Sequence, residues 1–334
     1  MKNNPAVNTN EYDISVIIVN YKSWTHLENC LKSLEGIDQN SFSFEVIIVD
    51  NNSNDTKLDA FSRKFPTYKF VRNLGNYGFS SGNNFGMRLA KGEFLLFLNP
   101  DTIVEKNAIL SLVQLAKQNL DYGIISCTTL NIEGKAEKEI RFFPKVSTFS
   151  GITRAIYQRI NKREISEKFT KTKDVVFPDW VSGSLIFISK KWFELVDGWS
   201  EDYWLYFEDV DLCKRITDAG GKIALTRNAS IIHNHGGSSR LNVKTSALTK
   251  TEVIISKHVY INNHYNNNTR FFTHLIFLFF GLISKFLLAI IGVVLFFIPK
   301  CYLQFLIFVN LVKYYKNALL KKTWTSERAP NYLK

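Results

Sequence analysis

Short apolar runs alternate with amphipathic segments through the first 130 residues, and this alternation constrains the fold more than any other feature. Five runs are predicted to be buried strands: SVIIV (15–19), FEVIIVD (44–50), YKFV (68–71), EFLLFL (93–98) and GIISC (123–127). Helices are predicted from Trp24 to Leu34, near 85–89 and over 105–118. Strands that alternate with helices predict an α/β fold of the Rossmann-like kind, a mainly parallel central sheet with helices on both faces.

Polar side chains follow three of these strands at the point where each ends. Asn20 follows the first run, Asp50 ends the second, and Asn99-Pro100-Asp101 follows the fourth. Ligands bind beyond the carboxyl ends of strands in sheets of this type, so we expect a site at this edge. The alternative for Asp101 is structural, since Asp101 or Thr102 would also serve as the N-cap of the helix over 105–118.

A second group of acids lies within the aromatic stretch YWLYFEDVDL. Glu208, Asp209 and Asp211 are surrounded there by large apolar side chains. A carboxylate near apolar walls has a raised proton affinity, which suits a general base. The alternative is a helix start, where acids in the first turn are favoured by the helix dipole.

Two histidines follow the apolar run SII and precede a pair of glycines. Neutral imidazole is a good metal ligand, but side chains at i and i+2 of a strand point to opposite faces. We therefore expect only one of His233 and His235 to face the site. With Asp101 this predicts a hard divalent cation, Mg²⁺ or Mn²⁺, bound by one or two carboxylates and substrate phosphates.

The sequence resembles the family 2 glycosyltransferases of the GT-A fold, and within them the bacterial rhamnosyltransferase-like branch. The resemblance covers about residues 13–240 and rests on several pieces in order: SVIIVNYKS, VIIVDNNSND, NLGNYGFSSGNNFG, LLFLNPD, VSGSLIFISKKWFELVDGW, YWLYFEDVDLCKR and IIHNHGGSS. It implies an inverting glycosyltransferase that moves a sugar from a dTDP- or UDP-sugar to a lipid-linked or polysaccharide acceptor in bacterial cell-surface glycan synthesis.

The resemblance also implies roles for the residues that bind the donor. NPD stands where the family has its Asp-x-Asp motif, so Asp101 would bind the metal and diphosphate, while Asn99 replaces the first acid. Asp50 would contact the nucleotide base, and His233 would be the second metal ligand, with His235 as the other choice. Further side chains would line the nucleotide and sugar pocket: Asn20, Asn76 and Asn83.

For catalysis, the resemblance implies that Asp209 is the base that deprotonates the acceptor hydroxyl. Glu208 and Asp211 would orient that base or the acceptor. In a single in-line displacement the base and the metal lie on opposite sides of the sugar. The chain supplies them from segments about a hundred residues apart in the sequence.

Four other functions compete with glycosyl transfer. A dehydrogenase is excluded because the turn after the first strand, NYKSW, has no GxGxxG. A nucleotidyltransferase would need a Gly-rich phosphate loop near that strand, which is missing. Glycoside hydrolysis by two carboxylates remains open. So does a non-catalytic or hydrolytic GT-A-like membrane-associated protein, which the replacement of the first acid by Asn99 would allow.

Composition and charge bear on compartment and partners. The four cysteines, Cys30, Cys127, Cys213 and Cys301, show no CxxC spacing, so neither a zinc site nor a disulfide framework is expected. The polar start, MKNNPAVNTNEYD, has no apolar signal core, which favours a cytosolic start and a disordered segment over residues 1–12. The chain carries a formal net charge of +12.

The C-terminal region combines basic charge with long apolar runs. From Arg270 onward there are nine Lys/Arg against one acid, a balance of +8, and residues 271–298 and 301–312 are mostly apolar. This mixture predicts a membrane surface as partner and argues against nucleic acid. Lys285 would be costly at the centre of a bilayer. We therefore favour peripheral or monotopic attachment at the cytoplasmic face of the plasma membrane over a single span across 275–298.

The predicted organisation has a GT-A catalytic domain over residues 13–250. A basic, helical, membrane-associated region follows over 251–334. The run SLIFI (184–188) is predicted to be a further strand. Between the strand at 123–127 and this run, periodicity weakens and basic residues accumulate, which predicts a mobile basic loop from Lys145 to Lys173.

Overall fold

Strands and helices follow one another in the first 130 residues almost as predicted. The computed structural model describes residues 11–38, 40–146, 151–170, 172–234 and 242–332. The first ten elements are β1 (Tyr12–Asn20), α1 (Trp24–Glu35), β2 (Phe44–Asp50), α2 (Lys57–Lys64), β3 (Lys69–Arg72), α3 (Gly78–Met87), β4 (Gly92–Leu98), β5 (Thr102–Val104), α4 (Ala108–Gln118) and β6 (Tyr122–Leu130). The short strand β5 was not predicted. Of the predicted disordered N-terminus, residues 1–10 lie outside the described residues, and Tyr12 already belongs to β1.

The second half of the chain contains more helix than the sequence predicted. Its elements are α5 (Gly151–Ile160), α6 (Lys162–Lys168), β7 (Val175–Val176), β8 (Leu185–Ser189), α7 (Lys190–Leu195), α8 (Glu208–Asp218), β9 (Lys222–His233), α9 (Val243–His264), α10 (Asn267–Val294) and α11 (Pro299–Lys321). The prediction of a mobile loop from Lys145 to Lys173 was wrong for its central part, because α5 and α6 form there. Both helices are too short and too basic to give a clear period in the sequence.

The strands form one mixed sheet in the order β3-β2-β1-β4-β8-β6-β9-β5, with β7 paired to β9. The first four strands in this order are parallel, as expected for repeated βα units. Between β4 and β6 lies β8, which is antiparallel to both. Four consecutive residues of β8 are fully buried, which suits a central strand covered on both faces.

Helices cover both faces of the sheet and bury a separate apolar core on each. On one face α1, α2 and α4 pack against the sheet, and α1 buries the predicted stripe of Leu27, Cys30, Leu31 and Leu34. On the other face α3, α6, α7 and α8 surround Phe193 and Trp199. The two cores hold the strand ends rigidly and therefore fix the loops that follow them.

The three C-terminal helices share a third core with the α/β part of the chain. Tyr203 and Val210, near the start of α8, pack with Val259, Leu311 and Tyr315 of α9 and α11. The predicted boundary between residues 250 and 251 falls inside α9. The helices are therefore attached directly to the acid-containing segment 203–211.

Candidate active site

Asn20 and Asp50 lie side by side at the carboxyl edge of the sheet, as predicted. The two residues are paired in the register of β1 and β2, and the Asn51 N–H donates to the Asn20 carbonyl at 2.7 Å. The Asn20 Nδ2 group is fully buried and has no hydrogen-bond partner among the described residues. Such a buried donor is rare, and a ligand would supply its acceptor. Burial also raises the pKa of Asp50, although the Ser53 N–H and the nearby Arg72 oppose the shift.

The loop before α3 closes over this edge through a network of amide side chains. Asn51 Nδ2 donates to the Asn76 side chain and to the Gly78 carbonyl, both at 3.0 Å. Asn83 is buried in α3, and its Nδ2 donates to the Phe79 carbonyl at 3.0 Å. Asn76 therefore lies beside the Asn20–Asp50 edge, whereas the Asn83 amide is used within its own helix. Their contacts with a donor stay predictions.

Asp101 turns towards β9 and does not cap a helix. Its Oδ1 lies 3.1 Å from His233 Nε2, and β5 and β9 pair Thr102 with His233. The N-cap position of α4 belongs to Asn107, so the capping interpretation of Asp101 and Thr102 was wrong. The Thr102 hydroxyl instead donates to the Asn99 carbonyl. His235 lies outside the described residues.

Asp101 and His233 fit a divalent cation as a pair of adjacent ligands. Two ligands at right angles around a cation with bonds near 2.1 Å are about 3.0 Å apart, close to the observed 3.1 Å. In the described part of the chain no third His, Cys, Asp or Glu completes a cluster with them. Phosphate oxygens and water would complete the coordination, as is usual for Mg²⁺. Without a cation, Asp101 and Glu137 outweigh the lowering effect of burial and raise the pKa of His233 to about 9.

Asp209 is held at the start of α8 by a strained turn. Tyr206 and Phe207 both have left-handed backbone conformations, with φ of 71° and 67°. Such conformations cost about 1–3 kcal/mol each in bulky residues and cluster at functional sites. Asp209 Oδ2 accepts the Gly183 N–H at 3.0 Å, and Oδ1 accepts the Val210 N–H at 2.8 Å. The turn therefore aims this carboxylate at the segment that enters β8.

The two adjacent acids, Glu208 and Asp209, differ in how easily they ionise. Burial and the charge of Asp209 raise the pKa of Glu208 well above its usual value. Burial also raises the pKa of Asp209, but the Gly183 N–H and the charge of Arg141 oppose the shift. Asp209 is therefore the acid of the pair better able to act as a carboxylate base. Glu208 Oε2 is buried and has no partner among the described residues.

Asp211 points away from Asp209 and towards the C-terminal helices. Its carboxylate accepts hydrogen bonds from Arg215 at 2.8 Å, from His264 at 2.7 Å and from the Tyr203 hydroxyl at 3.3 Å. These contacts indicate that Asp211 holds α8 against α9. A direct role in orienting the base or the acceptor stays a prediction.

Gly183 and Ser184, just before β8, connect the Asp101 region to Asp209 through their backbone. The Asn99 N–H donates to the Ser184 carbonyl at 3.0 Å, and the Gly183 N–H donates to Asp209. Asp101 follows Asn99 by two residues. The structure thus brings both acids to the same junction between the end of β4 and the start of β8.

Sequence reasoning missed two residues of the loop after β6 that reach both halves of this site. Glu137 Oε1 lies 3.8 Å from His233 Nδ1, and its other oxygen accepts from Arg141 at 3.2 Å. Arg141 packs over the Trp180 ring at 4.7 Å and is near enough to lower the pKa of Asp209. The signal available in the sequence was a Glu and an Arg four residues apart, just before the segment that we interpreted as a basic loop.

The match to the family model covers the part of the chain that carries Asn20, Asp50 and Asp101, and it ends before Asp209 and His233. The model of the family described as Glycosyl transferase family 2 matches residues 15–181, half of the chain. The "Low-salt glycan biosynthesis hexosyltransferase Agl10" of Haloferax volcanii is 29% identical over 226 residues, covering 66% of this chain and 67% of that relative. The "Rhamnosyltransferase WbbL" of Escherichia coli is 26% identical, and the match covers 66% of this chain and 83% of that relative. The "N-acetylglucosaminyl-diphospho-decaprenol L-rhamnosyltransferase" of Mycobacterium tuberculosis is 25% identical, covering 68% and 77%.

Two solved structures share the fold. GalNAc-T7, solved with UDP, GalNAc and Mn²⁺, matches with a TM-score of 0.53 and 17% identity over 73% of this chain, which spans about half (48%) of that protein. S. aureus TarS 1–349 in complex with UDP matches with a TM-score of 0.51 and 17% identity, and the match covers 80% of this chain and 70% of that protein. The protein is thus a glycosyltransferase with the GT-A fold, and it belongs to glycosyltransferase family 2.

Proposed function

We propose that this enzyme transfers a hexose, and specifically rhamnose, from a nucleotide-diphosphate donor to a hydroxyl group of a lipid-linked glycan, with inversion at the anomeric carbon. The rhamnose assignment rests on the names of two relatives, which are rhamnosyltransferases. The donor is then a dTDP-sugar, with a UDP-sugar as the competing choice. We place the reaction at the cytoplasmic face of the plasma membrane, in the synthesis of bacterial surface glycans.

The observation that carries the proposal is the junction between β4 and β8. Asp209 accepts from Gly183, and the neighbouring Ser184 accepts from Asn99, two residues before Asp101. An in-line displacement needs a base on one side of the sugar and charge neutralisation on the other. Two acids at one junction, supplied by different segments, support this assignment.

The base in the proposed reaction is Asp209. Its carboxylate takes the proton of the acceptor hydroxyl as that oxygen forms a bond to the anomeric carbon. The bond from this carbon to the donor diphosphate breaks, and the electron pair leaves with the diphosphate. Asp101 and His233 would hold a divalent cation that, when bound, neutralises the diphosphate charge.

Donor recognition is assigned to the edge formed by β1 and β2. Asp50 would contact the nucleotide base, and the unpartnered Asn20 amide and the Asn76 loop would line the pocket. Glu208 would stay protonated beside Asp209 because burial raises its pKa. A protonated carboxyl can donate a hydrogen bond to the acceptor without competing for its proton.

The test combines turnover with donor binding for one conservative variant. We expect Asp209→Asn to abolish transfer from dTDP-rhamnose to a polyprenyl-diphosphate-linked acceptor while calorimetry still detects donor binding. Asn keeps the shape and one acceptor oxygen but cannot take the proton. A panel of nucleotide sugars, screened by thermal stabilisation, identifies the donor because a ligand of the native state raises its stability.

Two results would contradict the proposal. Equal loss of donor binding and transfer in Asp209→Asn would remove the assignment of the base. Metal-dependent release of free sugar by the wild type, at the same rate with and without acceptor, would favour a hydrolytic enzyme over a transferase.

A further inference from the structure

Helix α10 carries a continuous apolar face that the described part of the protein leaves uncovered. Side chains recur in exposed pairs at 271/272, 275/276 and 279/280, with exposed fractions between 47% and 66%. Exposed apolar residues continue to Val294. We define the exposed apolar side chains from Phe271 to Val294 as the α10 face. Contiguous apolar surface of this extent marks an interaction site.

The opposite side of α10 packs against α9 and α11. Thr273 and His274 are buried near one end, and Ala289 and Gly292 near the other. A Cβ on Gly292 would lie 2.4 Å from the Cys301 carbonyl, so glycine permits α10 and α11 to approach closely there. These contacts give α10 one covered side and one open side.

Two polar groups in the apolar part of α10 have partners on the covered side or within the helix. Lys285 Nζ donates to the Gln304 side chain of α11 at 3.2 Å, and the Ser284 hydroxyl donates to the Gly281 carbonyl. The lysine that argued against membrane insertion is therefore turned towards α11. The α10 face can meet hydrocarbon without exposing that charge to it.

The position of α9 makes a crossing of the bilayer by α10 unfavourable. Lys257 lies 5.4 Å from the Phe277 ring, and Lys250 is close enough to Lys285 for their charges to interact. Only residues 286–294 of α10, roughly 14 Å of helix, and the turn at 295–298 extend past these lysines. The hydrocarbon core is about 30 Å thick, so a crossing would carry lysines of α9 into it.

Insertion of only the tip of the α10–α11 hairpin, the turn at 295–298 with the adjacent helix ends, would also leave much of the α10 face uncovered. Phe271 and Phe272 begin the face at the end near the catalytic domain, about 35 Å along the helix from Val294. If only the tip entered the lipid, these rings would stay in water. An orientation in the plane of the membrane surface covers the whole face at once.

We propose that α10 lies flat in the interface of an anionic lipid leaflet, with the α10 face in the acyl chains and α9 and α11 above it. We assign an anionic leaflet as the partner of the α10 face because of charge. Arg270 and Lys300 flank the face, and the chain from residue 270 onward carries a net charge of +8. This inference rests on the membrane setting of the proposed function. It makes the membrane attachment monotopic.

The test measures depth at three points of the face in the full-length protein. Phe272→Cys, Phe280→Cys and Ile291→Cys are each combined with Cys301→Ser and labelled with an environment-sensitive dye, the other three cysteines being buried. The protein is bound to phosphatidylglycerol–phosphatidylethanolamine vesicles with a nitroxide at a shallow or a deep acyl carbon. We expect all three positions to be quenched more by the shallow nitroxide than by the deep one.

Two controls make the result decisive. Leu120→Cys, at an 83% exposed apolar position of the catalytic domain, should not be quenched. Phe279→Ser with Phe280→Ser should weaken vesicle binding about a hundredfold, whereas Leu120→Ser should leave it unchanged. Neither measurement depends on turnover, so failure of this inference is distinguishable from failure of the enzymatic proposal.

Three outcomes would overturn the inference. Quenching that deepens steadily from 272 to 291 would mean that the tip inserts. Deep quenching at 280 with shallow quenching at 272 and 291 would mean that α10 crosses the bilayer. Absence of quenching, with cross-links between labelled positions of two copies, would mean that a second chain covers the face.

Discussion

Asp211→Ala should destabilise the protein strongly even though its neighbour Asp209 is the residue assigned to chemistry. The Asp211 side chain is 2% exposed, and it accepts hydrogen bonds from Arg215, His264 and Tyr203. Arg215 lies one turn along α8, whereas His264 ends α9. Alanine would therefore remove the group that joins the catalytic domain to the C-terminal helices.

The size of the effect follows from what is left behind. Removing one partner of a buried ion pair costs about 3–5 kcal/mol, because the other charge stays without compensation. Arg215 is 24% exposed and also donates to two backbone carbonyls, so water and these groups lessen the loss. We therefore expect about 3 kcal/mol. For a domain of this size the loss corresponds to roughly 6–12 °C in Tm.

The assay is urea and thermal unfolding of the full chain, followed by tryptophan fluorescence. Asp209→Asn is the matched control, since it changes an adjacent acid and should cost only about 1 kcal/mol for one weakened hydrogen bond. Asp211→Asn should be intermediate, because it keeps the shape and one acceptor. Wild-type stability in Asp211→Ala, together with a turnover loss of a hundredfold or more, would refute the structural role and favour a direct role at the acceptor.

Three further predictions concern the donor side, the base and the backbone. Asp101→Ala should weaken donor binding in the presence of Mn²⁺; calorimetry that finds equal affinity with and without the metal would contradict the ligand assignment. Arg141→Met should shift the acidic limb of the pH–rate profile to higher pH, because Arg141 lowers the pKa of Asp209 and the base works deprotonated. Arg141→Lys should leave the acidic limb at the wild-type pH. An unshifted limb in Arg141→Met would contradict the role of Arg141. Gly78→Ala, at φ +89° with its new Cβ 2.1 Å from a backbone oxygen, should cost clearly more in urea unfolding than Gly134→Ala, where φ is +76° and nothing lies within 4 Å. Equal costs at the two glycines would mean that the clash is relieved by backbone movement.

Local patterns in the sequence determined much of the fold. The runs SVIIV and FEVIIVD predicted β1 and β2 because a strand covered on both faces must be apolar throughout. The spacing of Leu27, Leu31 and Leu34 predicted the buried stripe of α1. These features depend on neighbours in the sequence, so no knowledge of the tertiary contacts was needed.

Local patterns were insufficient where distant segments compete for the same place. SLIFI was recognised as a strand, but its insertion between β4 and β6 depends on which edge of β4 is open when the chain returns. α6 was missed because its stability comes from Ile165 and the following Phe169, which pack against the sheet core, and α5 because its Tyr157 packs against Phe142 of a different segment. Periodicity within a short basic segment does not reveal such support.

The sequence by itself determined the strand–helix order of the first 130 residues apart from β5, the edge at which Asn20, Asp50 and Asp101 lie, and the family resemblance of the acid-containing segment. Only the tertiary structure decided how the acids are used: Asp209 meets Gly183, whereas Asp211 turns to Arg215 and His264. The reason is physical, because strand and helix propensity depend on neighbouring residues, while the partner of a carboxylate depends on segments far apart in the chain.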